Sequence, residues 1–197
     1  MKKNNSTFIG VIIAAVVVII VGATGIGTYN SLAKENQTVE AKWSQVENVM
    51  QRRYDLIPNL VNAVKGSMKQ EQKVFTAVAD ARKAYGNADS TKAKANANAK
   101  LDSSVGTLIN VIREDYPDLK SNQQVQTLMT QLEGSENRIS VERKRYNEAV
   151  EDYNKDVVSF PKNIFANAMG MGQKDYFKAD ANASKAPTVD LDTDDGK

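Results

Sequence analysis

A group of charged and amide side chains on the last long predicted helix is the strongest candidate for chemistry in this chain. Ser135 and Glu142 fall on an otherwise apolar stripe that runs from Val125 to Phe160. A carboxylate on a buried face has to be paired, because an isolated buried charge costs several kcal/mol. Arg52 and Arg53, at the end of the first soluble helix, are the candidate partners for such a carboxylate. The predicted polar cluster, as we call it, consists of Arg52, Arg53, Glu133, Glu136, Asn137 and Glu142.

The predicted polar cluster has a structural and a functional interpretation. In the first, which we favour, ion pairs and hydrogen bonds between buried side chains fix the register of neighbouring helices. In the second, the same groups line a pocket for a polar ligand or partner near the middle of the helices. A sharp loss of stability on truncating Arg52 supports the first interpretation. A lost binding phenotype at unchanged stability supports the second.

The composition removes most of the familiar catalytic and metal-binding chemistry. The 197 residues include no His and no Cys, which removes the commonest general base, the commonest transition-metal ligand and any thiolate nucleophile. We therefore expect no catalytic residue, no metal and no cofactor, and no small-molecule substrate is evident. Lys and Arg number 26 against 24 Asp and Glu, for a net charge of +2, which argues against nucleic acid as a partner.

Two further sets of residues only superficially resemble ligand-binding loops. Gly22, Gly25 and Gly27 follow no predicted strand and are wrongly ordered for a dinucleotide-binding loop. The acidic stretch at residues 190–195 lacks the glycine at the sixth position of a calcium loop, and no Glu follows at the twelfth. A solvated acidic tail is the better interpretation of that stretch.

The most distinctive segment of the chain is an uncharged stretch from Phe8 to Gly27, which we call the apolar run. As a helix it is about 30 Å long, close to the thickness of a bilayer's hydrocarbon core. A cleaved signal peptide is the alternative, since Lys2 and Lys3 precede the run and small residues near Ala23 resemble a cleavage site. The run continues past Ala23, so we favour a retained single span in the cell membrane.

The orientation of that span is nearly balanced. Lys2 and Lys3 lie before the apolar run, whereas Lys34 and Lys42 lie after it. Counted by the positive-inside rule, the balance favours a cytoplasmic N-terminus only slightly. The sidedness of the rest of the chain therefore stays open.

Beyond the apolar run, the periodicity predicts helix almost throughout. No Gly or Pro lies between Leu32 and Ile57, so the first soluble helix is expected to continue directly from the span. Asp55 is predicted to cap a second helix, with Pro58 in its first turn and its end at Gly86.

The second half of the chain predicts two more long helices. One runs from Thr91 to Tyr116 and is stopped by Pro117. The next is expected to start at the S-x-x-Q capping box of Ser121 and to close at residues 160–161, Phe-Pro. Long helices with short connections predict an all-α fold, an N-terminal transmembrane helix followed by an up-and-down bundle of about four antiparallel helices.

The composition divides the chain into three predicted parts. Residues 1–29 form the N-terminal tail and membrane anchor, residues 30–169 the helical bundle, and residues 170–197 a largely flexible tail. Within that tail, Tyr176 and Phe177 are expected to be able to dock.

Several segments together closely resemble the LemA family. They include QRRYDLIPNLV at residues 51–61, YPDLK at 116–120, LEGSENRI at 132–139 and YNEAV at 146–150, and the likeness extends over residues 29–189. The resemblance implies a bacterial membrane protein with one N-terminal span and a bundle of long helices. It implies no catalytic residue, because none is established for the family.

Three functional hypotheses follow from these observations. The leading one is a non-enzymatic, membrane-anchored bundle that contacts the bilayer through the apolar run. It acts as a scaffold or adaptor, by binding a protein partner or by self-association. The second is an envelope sensor module with a polar ligand site between helices. The third is a helical enzyme that uses carboxylates and arginines, against which stands the lack of a paired acid and base motif.

Overall fold

The computed structural model describes residues 4–177, with side chains from Phe8 onward, and this part of the chain contains helices but no strand. The acidic stretch at 190–195 and most of the predicted tail lie outside the described residues, as do residues 1–3. The helices are α1 (Asn4–Val64), α2 (Gln72–Gly86), α3 (Thr91–Asp115), α4 (Pro117–Ser121), α5 (Gln123–Val158) and α6 (Lys162–Ala168).

Helix α1 is the longest helix in the described part of the chain. Its 61 residues form one continuous helix, about 90 Å long at 1.5 Å per residue. The apolar run occupies its first part and is exposed except at Gly25, whereas the part after Thr28 carries buried core residues. The prediction that the first soluble helix continues from the apolar run is confirmed. This helix is long and apolar enough to cross a membrane.

The predicted helix boundary at Asp55 and Pro58 is wrong, because α1 passes through Pro58 and ends at Val64. A proline inside a helix forfeits one backbone hydrogen bond and typically costs about 3 kcal/mol. Ile57 and Leu60, which flank it, are both buried in the core. Continuing the helix keeps both side chains on the packed face, and this burial outweighs the cost of the proline.

The predicted capping box at Ser121 is also wrong by one residue. Ser121 ends the short helix α4 and donates its hydroxyl to the carbonyl of Pro117. Asn122 is the N-cap of α5, since its Oδ1 accepts from the backbone N–H groups of Gln124 and Val125 at 3.0 and 3.2 Å. Pro117 stops α3 as predicted and then opens α4, because proline suits the first turn of a helix.

The four longest helices form an up-and-down bundle, which confirms the predicted all-α fold class. Trp43 of α1 lies against Tyr146 of α5, and Arg53 further along α1 lies against the earlier residue Glu136, so these helices are antiparallel. Helix α2 folds back along α1, bringing Tyr85 to Tyr54. Helices α1 and α5 form one closely packed pair, and α2 and α3 form the other.

The core follows a seven-residue repeat. On α1 the buried residues at this spacing are Leu32, Val39, Val46, Arg53 and Leu60. On α5 they are Leu132, Ile139, Tyr146 and Tyr153. Side chains at such spacing return to one face of a helix and pack into the neighbouring helix. Phe160, predicted as the last residue of the apolar stripe on α5, does not belong to it. It lies in the turn after the helix and is 80% exposed.

Candidate functional site

The centre of the candidate site is Arg53, a charged residue at a core position. It occupies the α1 repeat position that Val46 and Leu60 fill with apolar side chains, and only 4% of its surface is exposed. Its Nη1 atom donates to carboxylate oxygens of Asp102 on α3 and Glu136 on α5. One guanidinium thus ties three helices together at a single level of the bundle.

Two buried polar side chains accompany this charge cluster. Asn98 of α3, at the repeat position of Val105 and Ile112, donates its Nδ2 to Asp102 Oδ2 at 3.0 Å. Ser135 of α5 is buried and donates its hydroxyl to the carbonyl of Gln131 at 2.8 Å. We call Arg53, Asn98, Asp102, Ser135 and Glu136 the polar layer. A guanidinium can satisfy several acceptors at once from a rigid plane, which suits it to this position.

The charges in the polar layer do not balance when both carboxylates are ionised. Burial raises the pKa of Asp102 to about 7, and the negative charge of Glu136 adds to that rise. Arg53 and Arg143 act in the opposite direction and lower it. An aspartate in the unfolded chain has a pKa near 3.8. At pH values between 3.8 and about 7, folding is therefore accompanied by the uptake of a proton by Asp102. The stabilisation from neutral Asp102 is therefore greatest at acidic pH and declines towards neutrality.

The structure brings only part of the predicted polar cluster together. Arg53 and Glu136 meet in the polar layer, whereas Arg52 and Asn137 are exposed on the surface. Glu133 pairs with Arg113 of α3 at 2.5 Å, in a more exposed position, and Glu142 pairs with Arg145 of its own helix at 2.7 Å.

Asp102 and Asn98 were not among the predicted residues. A sequence signal for Asn98 existed, because it lies seven residues before Val105 on the apolar stripe of α3. Asp102 lies one helical turn after Asn98 and borders that stripe, so a search for a partner of Arg53 on this helix would have reached it.

The polar layer is suited to structural pairing rather than to bond-breaking chemistry. Its carboxylates are engaged by the guanidinium, and no serine, lysine or tyrosine in it is paired with a free base. Among residues 4–177 no group of three or more carboxylate, His or Cys side chains is placed to hold a metal ion.

A second polar arrangement fastens the segment that follows α6. Asn147 of α5 donates to the carbonyl of Phe177 at 2.9 Å and accepts from its N–H at 2.8 Å. Asn154, seven residues further on, makes the same pair of bonds to the backbone of Lys174, at 2.9 and 2.7 Å. We call these two residues the asparagine clamp. Because each amide satisfies a backbone donor and acceptor together, the clamp holds residues 174–177 in a fixed register.

The clamped segment packs on the aromatic residues of the bundle. Phe177 is buried, with its ring 6.1 Å from that of Trp43, which in turn lies 5.3 Å from the ring of Tyr146. The predicted docking residue Phe177 is thus in the core, while Tyr176 stays partly exposed. Trp43 therefore contacts both α5 and the clamped segment.

A cleft of about 300 Å³ opens beside these aromatic rings. It is lined by residues of α1, the start of α3, α5 and the clamped segment, among them Trp43, Ser90, Lys92, Tyr146 and Asp175. Across its lining, Lys174 Nζ pairs with Glu40 at 2.7 Å. The cleft lies about 15 Å along α1 from the polar layer, which is ten residues further on.

The architecture defines the class to which this chain belongs. A helix that starts as an exposed apolar rod and ends inside a four-helix bundle is typical of membrane-associated helical proteins. The sequence profile of the LemA family matches residues 42–191, which is more than half of the chain. The chain belongs to the LemA family, as the resemblance in its sequence implied.

Curated relatives of this chain come from bacteria. Magnetosome protein MamQ 2 of Paramagnetospirillum magneticum is 27% identical over 182 residues, covering 79% of this chain and 66% of that protein. MamQ of Magnetospirillum gryphiswaldense is 25% identical, covering 76% and 64%. Protein LemA of Metamycoplasma hominis is 24% identical, covering 85% of this chain and 75% of that protein. The chain spans just under two thirds of the length of the MamQ proteins, and none of these names describes an enzyme.

Proposed function

We propose that this protein is a non-enzymatic, single-span membrane scaffold whose rigid helical bundle presents a surface for protein partners or for self-association. The observation that carries the proposal is the continuity of α1 from the apolar run into the bundle core. A helix without a break transmits its position and tilt over its whole length. The bundle is therefore held at a fixed height and angle, as a scaffold at a membrane requires.

The pairing of the buried charged residues with one another supports a non-catalytic role. Arg53, Asp102 and Glu136 engage one another in the polar layer, and their pairing fixes helix register rather than leaving a reactive group free. The relatives named as magnetosome proteins carry no reaction in their names. Assembly at a membrane agrees with the continuity of α1 from the apolar run into the bundle.

The far end of the α1–α5 pair is the surface we assign to a protein partner. A shallow groove there is lined mainly by amide side chains: Asn59, Asn62, Gln123, Gln124 and Gln131. Amides donate and accept hydrogen bonds at once, so they pair readily with a partner's backbone or side chains. The groove lies beyond the polar layer, on the side away from the apolar run, where a partner has room to approach.

Photocrosslinking in intact membranes tests the proposal directly. A photoreactive amino acid is placed at Gln124, in the groove, and as a matched control at Gln126, an exposed glutamine of the same helix outside it. We expect a discrete protein adduct from position 124 and little from position 126. Equal or absent adducts at the two positions contradict the assignment of this surface. Resistance of the full chain to alkaline extraction tests the anchor separately, and protease shaving of whole cells reports the sidedness.

A sensor role is the second candidate, and the cleft beside Trp43 is the observation that favours it. Its mixture of aromatic, acidic and basic lining residues suits a small zwitterion such as an amino acid. Trp43 is the single tryptophan of the chain, so its emission reports binding during titration with free amino acids. A saturable change that is lost in Lys92→Ala supports the sensor. Unchanged emission across the set argues against it.

A further inference from the structure

The corner between α5 and α6 lies directly against the apolar run. Helix α5 ends at Val158 and α6 begins at Lys162, and α6 packs on both α1 and α5. Ala166 is fully buried in that contact. The ring of Phe165 rests on the backbone of Gly25, so closely that a Cβ atom at residue 25 would lie 3.1 Å from Phe165 Cε1. A Cβ at this position would displace the ring by a few tenths of an ångström, so the glycine permits the closest approach of α6 to the helix.

This contact fixes the height of the corner relative to the membrane. Gly25 belongs to the apolar run, two residues before its end at Gly27, which is about 3 Å along the helix axis. Ile164 is the neighbour of Phe165 and lies at a similar level. If the apolar run crosses the hydrocarbon core, the corner reaches the boundary between acyl chains and headgroups.

The outward side of the corner is apolar. Phe160 is 80% exposed and Ile164 is 57% exposed, and Val158 and Met169 are also on the surface. Between residues 158 and 171 the single charged residue is Lys162, and its ammonium group pairs with Asp156. A patch of this kind is unusual in a chain of which 25% is charged. We call Val158, Phe160, Ile164 and Met169 the apolar corner.

We propose that the apolar corner inserts into the headgroup–acyl boundary of the bilayer, as a second membrane contact beside the span. This inference rests on the proposed function, because it requires the apolar run to lie in the membrane. Exposed aromatic and aliphatic side chains bind at that boundary by removing apolar area from water. Tyr29 on α1, half exposed just beyond the apolar run, is placed at the same boundary, where tyrosine is favoured.

Continuity with the apolar run selects lipid over a protein partner as the occupant. Ile26 of α1 is exposed and directly follows Gly25, the residue on which Phe165 of the corner rests, and the apolar run to which both belong contains no charged residue. A protein partner at this level would itself have to enter the headgroup region. Because the corner lies to one side of the axis of α1, this second contact makes the bundle resist tilting relative to the bilayer, which one span alone permits.

Depth-dependent quenching in reconstituted full-length protein tests the inference. The chain has no cysteine, so single-cysteine variants are made directly at Phe160 and at Ile164 and labelled with an environment-sensitive fluorophore. Val141→Cys is the matched control, because Val141 is a similarly exposed apolar residue on α5 about 26 Å before Val158. Val18→Cys, 70% exposed within the apolar run, reports the span. Vesicles of phosphatidylethanolamine and phosphatidylglycerol carry quenchers at shallow or deep positions of the acyl chain.

We expect labels at Phe160 and Ile164 to shift to shorter emission wavelength and to be quenched several-fold more by shallow lipid quenchers than the label at Val141. If lipid quenchers reach the label at Val18 while the corner labels are quenched by aqueous iodide, the inference is wrong. The membrane span is not contradicted by that result. Corner labels shielded from both lipid quenchers and iodide indicate a protein contact, which also overturns it. A label at Val18 that no lipid quencher reaches refutes the span, and the inference with it.

Discussion

Replacing Arg53 by alanine removes the one cation that the polar layer places between two carboxylates. Asp102 and Glu136 are then left facing each other on α3 and α5 without their shared donor. Breaking a buried ion pair from one side typically costs about 3 to 5 kcal/mol, because the remaining charge stays desolvated. We expect the lower part of that range for Arg53→Ala, since Glu136 is partly exposed and part of its charge is screened.

The neighbouring arginine supplies a matched control. Arg52 is exposed, so Arg52→Ala should change stability by less than about 0.5 kcal/mol. Both variants are unfolded by denaturant as full-length protein in detergent micelles, followed by the emission of Trp43 and by circular dichroism. A loss of about 3 kcal/mol corresponds to a fall in Tm of about 6 to 12 °C for a domain of this size.

A double-mutant cycle separates the ion pair from lost packing. Asp102→Asn keeps the shape of the side chain and removes its charge, so Arg53→Ala should cost less in that background than in the natural chain. Equal costs in the two backgrounds, or equal costs for Arg52→Ala and Arg53→Ala, would refute the stabilising role of the ion pairs in the polar layer.

Three further predictions concern the same contacts. Lowering the pH from about 7 to about 5 should raise stability by about 2 kcal/mol through the raised pKa of Asp102, and Asp102→Asn should flatten this dependence in denaturant titrations. Phe177→Ala should move the Trp43 emission to longer wavelength, because the indole loses the ring 6.1 Å away; Tyr176→Ala, at a partly exposed residue, should leave the emission nearly unchanged. Pro58→Ala should restore a helical hydrogen bond and raise the free energy of unfolding by about 1 to 3 kcal/mol, and an unchanged or lowered midpoint contradicts this.

The fold class was accessible from the sequence because its signal is repeated along the chain. The uncharged stretch of membrane-spanning length and the apolar residues at helical spacing each involve many residues, so neither prediction depends on a single position. The same repeat places Arg53 at a core position of α1, seven residues after Val46 and seven before Leu60. Reading that spacing strictly would have separated Arg53 from Arg52, which the sequence interpretation treated alike.

Helix boundaries were less accessible, because local and tertiary preferences disagree there. Asp55 and Pro58 are good residues for starting a helix, yet the burial of Ile57 and Leu60 carries α1 through them. At the start of α5, both Ser121 and Asn122 are capable N-caps, and the choice falls to Asn122 because Ser121 completes α4.

Contacts between distant segments were beyond the sequence patterns. The asparagine clamp joins α5 to residues some twenty to thirty positions later through backbone groups, which carry no side-chain signature at their end. The meeting of Asp102 with Arg53 likewise depends on how three helices are aligned, and periodicity within one helix does not give that alignment.

The position of the polar layer explains why a charged contact is retained in an otherwise apolar core. Arg53 lies 26 residues beyond Gly27, about 39 Å along α1 from the end of the apolar run. Apolar residues repeating every seven positions allow neighbouring helices to slide by one repeat at modest cost, whereas a buried ion pair fits one alignment only. At the other end of the bundle, the packing of Phe165 on Gly25 fixes α6 to α1. We infer that these two contacts, far apart on one continuous helix, hold the bundle in a single register relative to the membrane.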